Sequence, residues 1–192
     1  GIRGVNLELD YNEFVTIEGE SGSGKSTLLN VIAANDTYEE GELWFNGMET
    51  SHYSESDWEK YRERNIAMIF QDFNIIENLT VLENVELALL RMDDVKERRR
   101  IAKELIGRVG LTKQMNQRGS KLSGGEKQRT VIARALAKDA PVILADEPTG
   151  NLDVKASKEV AALLKEVSKD KLVIVVTHNP EFFKQYATRR VR

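Results

Sequence analysis

The amino-acid sequence predicts an α/β fold built on a buried parallel sheet. Two continuous apolar runs of strand length, "PVILADEP" (141–148) and "KLVIVVTHN" (171–179), end in polar residues, as strands covered on both faces do. Residues 13–34 show, in order, the patterns of a strand, a glycine-rich loop and a helix. The segment from about Ser54 to Asp139 is richer in charge and in helical periodicity, so we expect a mostly helical insertion there.

The remaining elements follow from local patterns. "GVNLEL" (4–9) alternates apolar and polar residues like a half-buried strand, and "EFVTIEG" (13–19) is a short apolar run, so we expect two adjacent strands. Helical spacing starts at Lys25, and "GELWFNG" (41–47) is typical of a short strand closed by a turn. Within the insertion, helical patterns occur in "SDWEKYRERN", "TVLENVELALL" and "VKERRRIAKELIGRVG".

Composition excludes several classes of function. With 192 residues, of which 41% are hydrophobic, the chain can bury one sizeable core. A net charge of -3 gives no general basic field, so nucleic acid is disfavoured as a partner. The absence of cysteine excludes disulfides and thiolate metal sites. The apolar runs fall far short of the roughly 20 residues that span a bilayer.

The stretch "GESGSGKS" fits the phosphate-loop pattern G-x-x-x-x-G-K-[ST]. In such a loop, backbone N–H groups surround the phosphates, Lys25 reaches the terminal ones, and the Ser26 hydroxyl binds Mg²⁺. A glycine-rich turn without a ligand is the alternative, but a strand before the loop and a helix after it favour the phosphate site. The candidate nucleotide-binding residues are Gly19, Glu20, Ser21, Gly22, Ser23, Gly24, Lys25, Ser26 and Thr27.

A second group of candidates follows the apolar strands. Buried carboxylates such as Asp146 and Glu147 are costly unless they bind a cation or polar partners. Beside a nucleotide, Asp146 could hold Mg²⁺ through water and Glu147 could deprotonate the attacking water, although "DEP" alone could be a helix-capping turn. His178 could contact a γ-phosphate or be an ordinary strand-end residue. Gln71 could coordinate Mg²⁺ or the attacking water, or be a surface glutamine.

Taken together, "GESGSGKS", "FQ", "LSGGE", "ILADEP", "NLD" and "TH", in this order and spacing, resemble the ATP-binding cassette (ABC) ATPases over essentially the whole chain. "LSGGE" is the diagnostic motif, because many phosphate-loop proteins share the others. The resemblance implies a single ABC domain over 1–192, trimmed at both ends. It also implies a phosphate-loop NTPase core of the RecA-like type at about 1–71 and 140–192, a helical signature subdomain at about 72–139, and an N-terminal antiparallel β element.

The resemblance also implies a mechanism shared between two copies of the chain. In the family, the "LSGGE" helix start binds the γ-phosphate of ATP held by a partner cassette, so a head-to-tail homodimer encloses two Mg-ATP. Carried over, Glu147, His178, Lys25 and Gln71 would be catalytic, and Ser26, Gln71 and Asp146 would hold Mg²⁺. The residues expected to meet the partner are Ser123, Gly124, Gly125 and Glu126, at its ATP, and Asp153, near its phosphate loop.

"FQDFNIIENLTVLENVELAL" and "LADEPTGNLD" are similar to bacterial cassettes of lipoprotein-release, macrolide-export, cell-division and antimicrobial-peptide-resistance systems. This similarity implies an integral membrane permease as partner and a location on the cytoplasmic side of the cell membrane. Phe73, Ile75 and Ile76 would then contact the permease, or else fill the local core. The alternative function is a soluble ABC ATPase in DNA repair or on the ribosome. We expect the aromatic residue that stacks on adenine to lie upstream of residue 1.

Overall fold

A five-stranded sheet organises residues 3–192, which the computed structural model describes. Its strands are Phe14–Glu18 (β1), Ile66–Ile69 (β4), Val142–Asp146 (β5), Leu172–Thr177 (β6) and Arg189–Val191 (β7). They lie in the order β4-β5-β6-β1-β7, and every neighbouring pair is parallel. The carboxyl ends of all five strands therefore lie at the same end of the sheet, where α/β proteins bind ligands.

Helices cover both faces of the sheet. Val15 and Leu144 lie in a buried cluster with residues of the helices at 25–32 and 55–65, whereas Phe14 and Ile143 lie in a second cluster with residues of the other four helices. Successive residues of a strand point to opposite faces of the sheet, and helices cover both faces. The residues on both faces must therefore be apolar, which explains the continuous apolar runs. The helices are Lys25–Ile32 (α1), Glu55–Asn65 (α2), Val81–Glu86 (α3), Val95–Arg108 (α4), Gly124–Ala137 (α5) and Val154–Val167 (α6).

Short polar side chains determine where most of these helices begin. Ser54, Thr80 and Ser123 each form a capping box with an acidic residue three positions later, at the starts of α2, α3 and α5. The side chains of Asp94 and Asp153 accept backbone N–H bonds at the starts of α4 and α6. Each of these caps satisfies N–H groups that the helix itself leaves unbonded.

Short 3-10 helices occur at Leu87–Leu89, Thr112–Gln114, Gly119–Lys121 and Pro180–Phe182.

The predicted strand at residues 4–9 is wrong. The structure gives these residues no strand, because β1, the expected neighbour, has both edges occupied by β6 and β7. The antiparallel element that the described residues do contain is the hairpin of Trp44–Phe45 (β2) and Met48–Glu49 (β3). Asn46 and Gly47 join its strands with φ values of 49° and 74°, as two-residue hairpin turns require.

The regular elements of the segment 54–139 are helices, apart from β4, which forms one edge of the sheet. In the loop that follows β4, Phe73 and Ile75 are partly buried against the core, whereas Ile76 is 47% exposed. Phe73 and Ile75 therefore belong to the local core, whereas Ile76 is left on the surface. None of the helices within residues 3–192 is both long enough and apolar enough to cross a membrane.

Candidate active site: a phosphate loop at the edge of the sheet

The phosphate loop joins the end of β1 to the start of α1. Gly22 and Gly24 have φ values of 82° and 90°, in the region of positive φ that glycine enters without a steric penalty. Gly24 is the N-cap of α1, and no side chain caps this helix. The N–H groups of its first turn are therefore open to an anion, and the helix dipole favours a negative charge at the same place.

The Lys25 ammonium lies over this loop. Its Nζ donates to the carbonyl oxygens of Gly19 at 2.9 Å and Glu20 at 2.6 Å, and lies 3.3 Å from Ser23 Oγ. A side chain at Gly19 would place Cβ 2.8 Å from Ser23 Oγ, so the Ser23 hydroxyl would have to move away from its present position. These three predicted residues thus hold Lys25 in position at the centre of the loop.

Ser26 and Asp146 form an oxygen-rich pair below the loop. Ser26 Oγ donates to Asp146 Oδ1 at 3.1 Å. Burial raises the pKa of Asp146, and neighbouring Glu147 adds to this rise, whereas the Ser26 hydrogen bond and Lys25 oppose it. A bound cation would relieve the cost of burying this charge.

Mg²⁺ fits this site by the chemistry of its donors. A hydroxyl, a carboxylate and the side-chain amide of Gln71 line one cavity, and oxygen ligands are those that Mg²⁺ prefers. The described part of the chain contains no cluster of three or more acidic, histidine or cysteine side chains that could cage a metal alone. Proteins usually bind Mg²⁺ through one or two of their own groups, together with water and substrate phosphates.

Glu147 is held by three contacts from the end of β6. Its Oε1 accepts from the His178 backbone N–H at 2.7 Å and lies 2.7 Å from His178 Nδ1, and its Oε2 accepts from Thr177 Oγ1 at 3.1 Å. Its φ of 47° lies in the left-handed region, which is uncommon for a residue with a side chain. Sequence reasoning missed Thr177 and the direct contact of His178 with Glu147, although both lie in the "TH" motif.

Gln71 is held by Asn151, another residue that sequence reasoning missed. Gln71 Nε2 donates to Asn151 Oδ1, and Asn151 Nδ2 donates to the Gln71 carbonyl, both at 3.2 Å. Gly150 packs under the same side chain, where a Cβ would lie 2.8 Å from Gln71 Nε2. The only sequence signal for Asn151 is its place in "NLD".

These residues enclose the phosphate-loop cavity, which has a volume of about 540 Å³. Every residue that lines it is among the sequence-predicted site residues. The lining residues are Ser21, Gly22, Gly24, Lys25, Ser26, Thr27, Gln71, Asp146, Glu147 and His178.

The predicted partner-facing residues line a different cavity, of about 350 Å³, here called the helix-start cavity. The first turn of α5 and the turn before α6 meet there, and the two cavities share no lining residue. The lining residues are Ser123, Gly124, Gly125, Glu126, Arg129, Asn151, Leu152, Asp153, Lys155, Ala156 and Glu159.

Within the helix-start cavity, the acidic side chains serve their own helices. Glu126 Oε2 accepts from the N–H and hydroxyl of Ser123, and its Oε1 accepts from Gln114 Nε2. The Ser123 backbone bond is the main reason that the pKa of Glu126 is lowered. Asp153 Oδ1 accepts from Ala156 N at 2.8 Å. The Ser123 hydroxyl is occupied too, because it donates to Glu126 Oε2 and accepts from the Glu126 N–H. What α5 offers to a ligand is therefore the N–H groups of its first turn that the capping box leaves open.

The parallel sheet and the phosphate loop define a phosphate-loop nucleotide hydrolase, and comparison with known proteins specifies the family. Residues 2–150 match a family model described as ABC transporter. The chain therefore belongs to the ABC transporter ATPases, and the prediction of an ATP-binding and ATP-hydrolysing cassette is confirmed.

Three similar proteins illustrate the relationship. The chain is 42% identical to the macrolide export ATP-binding/permease protein MacB of Wolinella succinogenes, over 93% of this chain and 28% of that protein. It is 40% identical to the lipoprotein-releasing system ATP-binding protein LolD of Wigglesworthia glossinidia brevipalpis, over 96% and 82% respectively. The dimeric cassette MJ0796 of Methanocaldococcus jannaschii, solved in a post-hydrolysis state bound to ADP and Pi, has 41% identity and a TM-score of 0.81, over 94% of this chain and 81% of that chain.

Proposed function

We propose that two copies of this chain associate head to tail around two ATP molecules. The observation that carries the proposal is the separation of the phosphate-loop cavity from the helix-start cavity, which share no lining residue. Ser123, Gly124, Gly125 and Glu126 of one copy would complete the nucleotide site of the other, with Asp153 at the interface. The solved dimer of MJ0796 bound to ADP and Pi supports this arrangement.

Within each site, the reaction is in-line attack of water on the γ-phosphorus of ATP. Glu147, which two strand-end residues hold in place, accepts the proton of the attacking water. Lys25 exchanges its bonds to loop carbonyls for bonds to phosphate oxygens and stabilises their charge. Since His178 Nδ1 faces Glu147, its Nε2 is the ring atom that contacts the γ-phosphate.

Mg²⁺ would be held by Ser26, Asp146 and Gln71, and it would neutralise charge on the phosphate oxygens. Gln71 also meets the attacking water. Because Asn151 fixes the orientation of Gln71, the loop after β4 and the turn before α6 position this amide together.

We further propose that the dimer drives conformational change in an integral membrane permease, from the cytoplasmic side of the membrane. The name of MacB, an ATP-binding/permease protein, and that of LolD, from a lipoprotein-releasing system, support this class of partner. The RecA-like core would comprise residues 1–71 and 140–192, and the helical subdomain 72–139. Ile76, exposed in the loop after β4, is the residue through which we expect the permease to make contact.

The deciding experiment compares Glu147→Gln with Lys25→Ala. Glu147→Gln keeps the shape of the side chain but removes the base, so we expect phosphate release to fall about 10²–10⁴-fold while ATP binding persists. Light scattering with saturating Mg-ATP should then show twice the monomer mass. Lys25→Ala should abolish phosphate release, whereas Lys169→Ala, in an exposed surface ion pair, should not change it.

Two results would contradict the proposal. A monomer of Glu147→Gln at saturating Mg-ATP would remove the support for the head-to-tail dimer. Phosphate release that survives in Lys25→Ala would contradict the assignment of the phosphate loop.

A further inference from the structure

Gln128 is a fully buried polar residue that the proposed mechanism leaves without a role. It lies on α5, five residues after the Ser123 cap, and none of its surface is exposed. Its Nε2 donates to the Pro148 carbonyl at 2.9 Å, a buried bond between segments 20 residues apart in the chain. Its Oε1 has no hydrogen-bond partner among residues 3–192.

An amide is less favourable than an apolar side chain at this buried position. A buried carbonyl oxygen without a partner costs about 1–3 kcal/mol, and an apolar side chain of similar size would avoid that cost. Packing therefore does not explain why an amide is present. What the amide does supply is one directed bond to Pro148.

That bond holds the backbone next to the catalytic carboxylate. Pro148 follows Glu147, whose left-handed φ of 47° persists only if the surrounding structure holds it. On one side, Glu147 N donates to the Val176 carbonyl at 2.9 Å, and on the other, Gly150 N donates to the Glu147 carbonyl at 3.0 Å. Gln128 adds a contact from a helix, α5, to the contact that β6 makes through Val176.

We infer that Gln128 is a positioning residue for Glu147: its amide fixes the Pro148 carbonyl and so keeps the Glu147 carboxylate aimed into the phosphate-loop cavity. The inference rests on the proposed role of Glu147 as the base. It also makes α5, whose first turn lines the helix-start cavity, the element that braces the catalytic turn.

The test is Gln128→Met, which keeps the length of the side chain and removes the donor. A small displacement of a catalytic group costs up to about 10²-fold in rate, so we expect kcat for ATP to fall about 10- to 100-fold. The KM for ATP should stay within about twofold, because Gln128 lies outside the residues that line the phosphate-loop cavity. Gln117→Met is the matched control, since its amide also donates to a backbone carbonyl, that of Lys121 at 2.7 Å, but outside both cavities.

Single-turnover rates of the double variant Gln128→Met, Glu147→Gln distinguish positioning from general loosening. If Gln128 acts through Glu147, adding Gln128→Met to Glu147→Gln should lower the rate little further, because the base is already absent. An undiminished kcat in Gln128→Met, or an equal fall in both backgrounds, would overturn the inference. An undiminished rate in Glu147→Gln alone would instead refute Glu147 as the base, and the inference with it. Should Gln128→Met fail to fold, Gln128→Leu, which is also apolar and lacks the donor, takes its place with the same expected outcomes.

Discussion

The contact between Gly125 and Ala156 leads to a prediction whose size follows from the geometry. Gly125 lies in the first turn of α5, directly against the first turn of α6. A Cβ added at Gly125 would lie 2.9 Å from the Ala156 Cβ. The Ala156 Cβ is attached to the backbone of a helix and cannot rotate away, so Gly125→Ala must push the two helices apart.

Two opposing effects decide the stability of Gly125→Ala. Overpacking of a close contact costs about 1–3 kcal/mol. Replacing glycine by alanine in a helix returns about 0.5–1 kcal/mol. The cost is larger, so we expect a net loss of about 1 kcal/mol, which lowers the melting temperature of a chain of this size by roughly 2–4 °C.

Thermal unfolding with a control glycine separates these effects. Gly107 lies inside α4, where an added Cβ would have only Thr112 Oγ1 near it, at 3.8 Å. Gly107→Ala should therefore raise the melting temperature, because alanine has a higher helix propensity than glycine. In Gly125→Ala the same gain is smaller than the cost of the steric contact. Adding Ala156→Gly to Gly125→Ala should recover about 1 kcal/mol relative to the sum of the single changes. If Gly125→Ala melted at or above the native temperature, the steric argument would be refuted.

Two further predictions concern the site and its acid stability. In Gly150→Ala, the new Cβ would lie 2.8 Å from Gln71 Nε2 and would push this flexible side chain aside. We expect kcat to fall about tenfold with little change in melting temperature. An unchanged rate of phosphate release would contradict this prediction. The pKa of Glu18 is lowered, chiefly by its hydrogen bonds to Arg190, so this pair stabilises the fold above the ordinary carboxyl pKa of 4.5 and ceases to do so as the pH falls through the folded-state pKa. Glu18→Gln should cost about 1.5–3 kcal/mol in urea unfolding at pH 7 and progressively less in acid, and a pH-independent difference would exclude this mechanism.

The sequence predicts β1, β5, β6 and most of the helices, because their signals are local; the strands β4 and β7 and the helix α6 are not among its predictions. β5 and β6 are apolar on both faces, and only a strand that is covered on both sides requires this. The strand predicted at residues 4–9 fails for the opposite reason. Its alternation is compatible with a strand, but strand formation also needs a free neighbouring edge, and the edges of β1 are taken by β6 and by β7, which follows more than 170 residues later.

The candidate site divides in the same way. Motif spacing indicates which residues belong to the phosphate-loop cavity, since a loop, an acidic strand end and a glutamine each have their own pattern. The contacts between motifs have no such pattern. Asn151 meets Gln71, and Gln128 meets Pro148, only because distant segments pack together, and no spacing in the sequence encodes those pairs.

The same limit applies to the helix-start cavity: the sequence could predict where it lies, but not which of its polar groups are free to bind a ligand. Its Ser123 motif marks an anion-binding helix start, yet the structure shows Glu126 occupied by the capping box and by Gln114. This cavity has no counterpart of the Ser26–Asp146 oxygen pair, and its lining residues include none of the phosphate loop. Open N–H groups alone stabilise an anion by about 0.3–1 kcal/mol at a surface, which is too little to hold a nucleotide. Binding at this cavity therefore requires a second surface that already carries the phosphates, and in the proposed dimer the phosphate-loop cavity of the other copy would supply it.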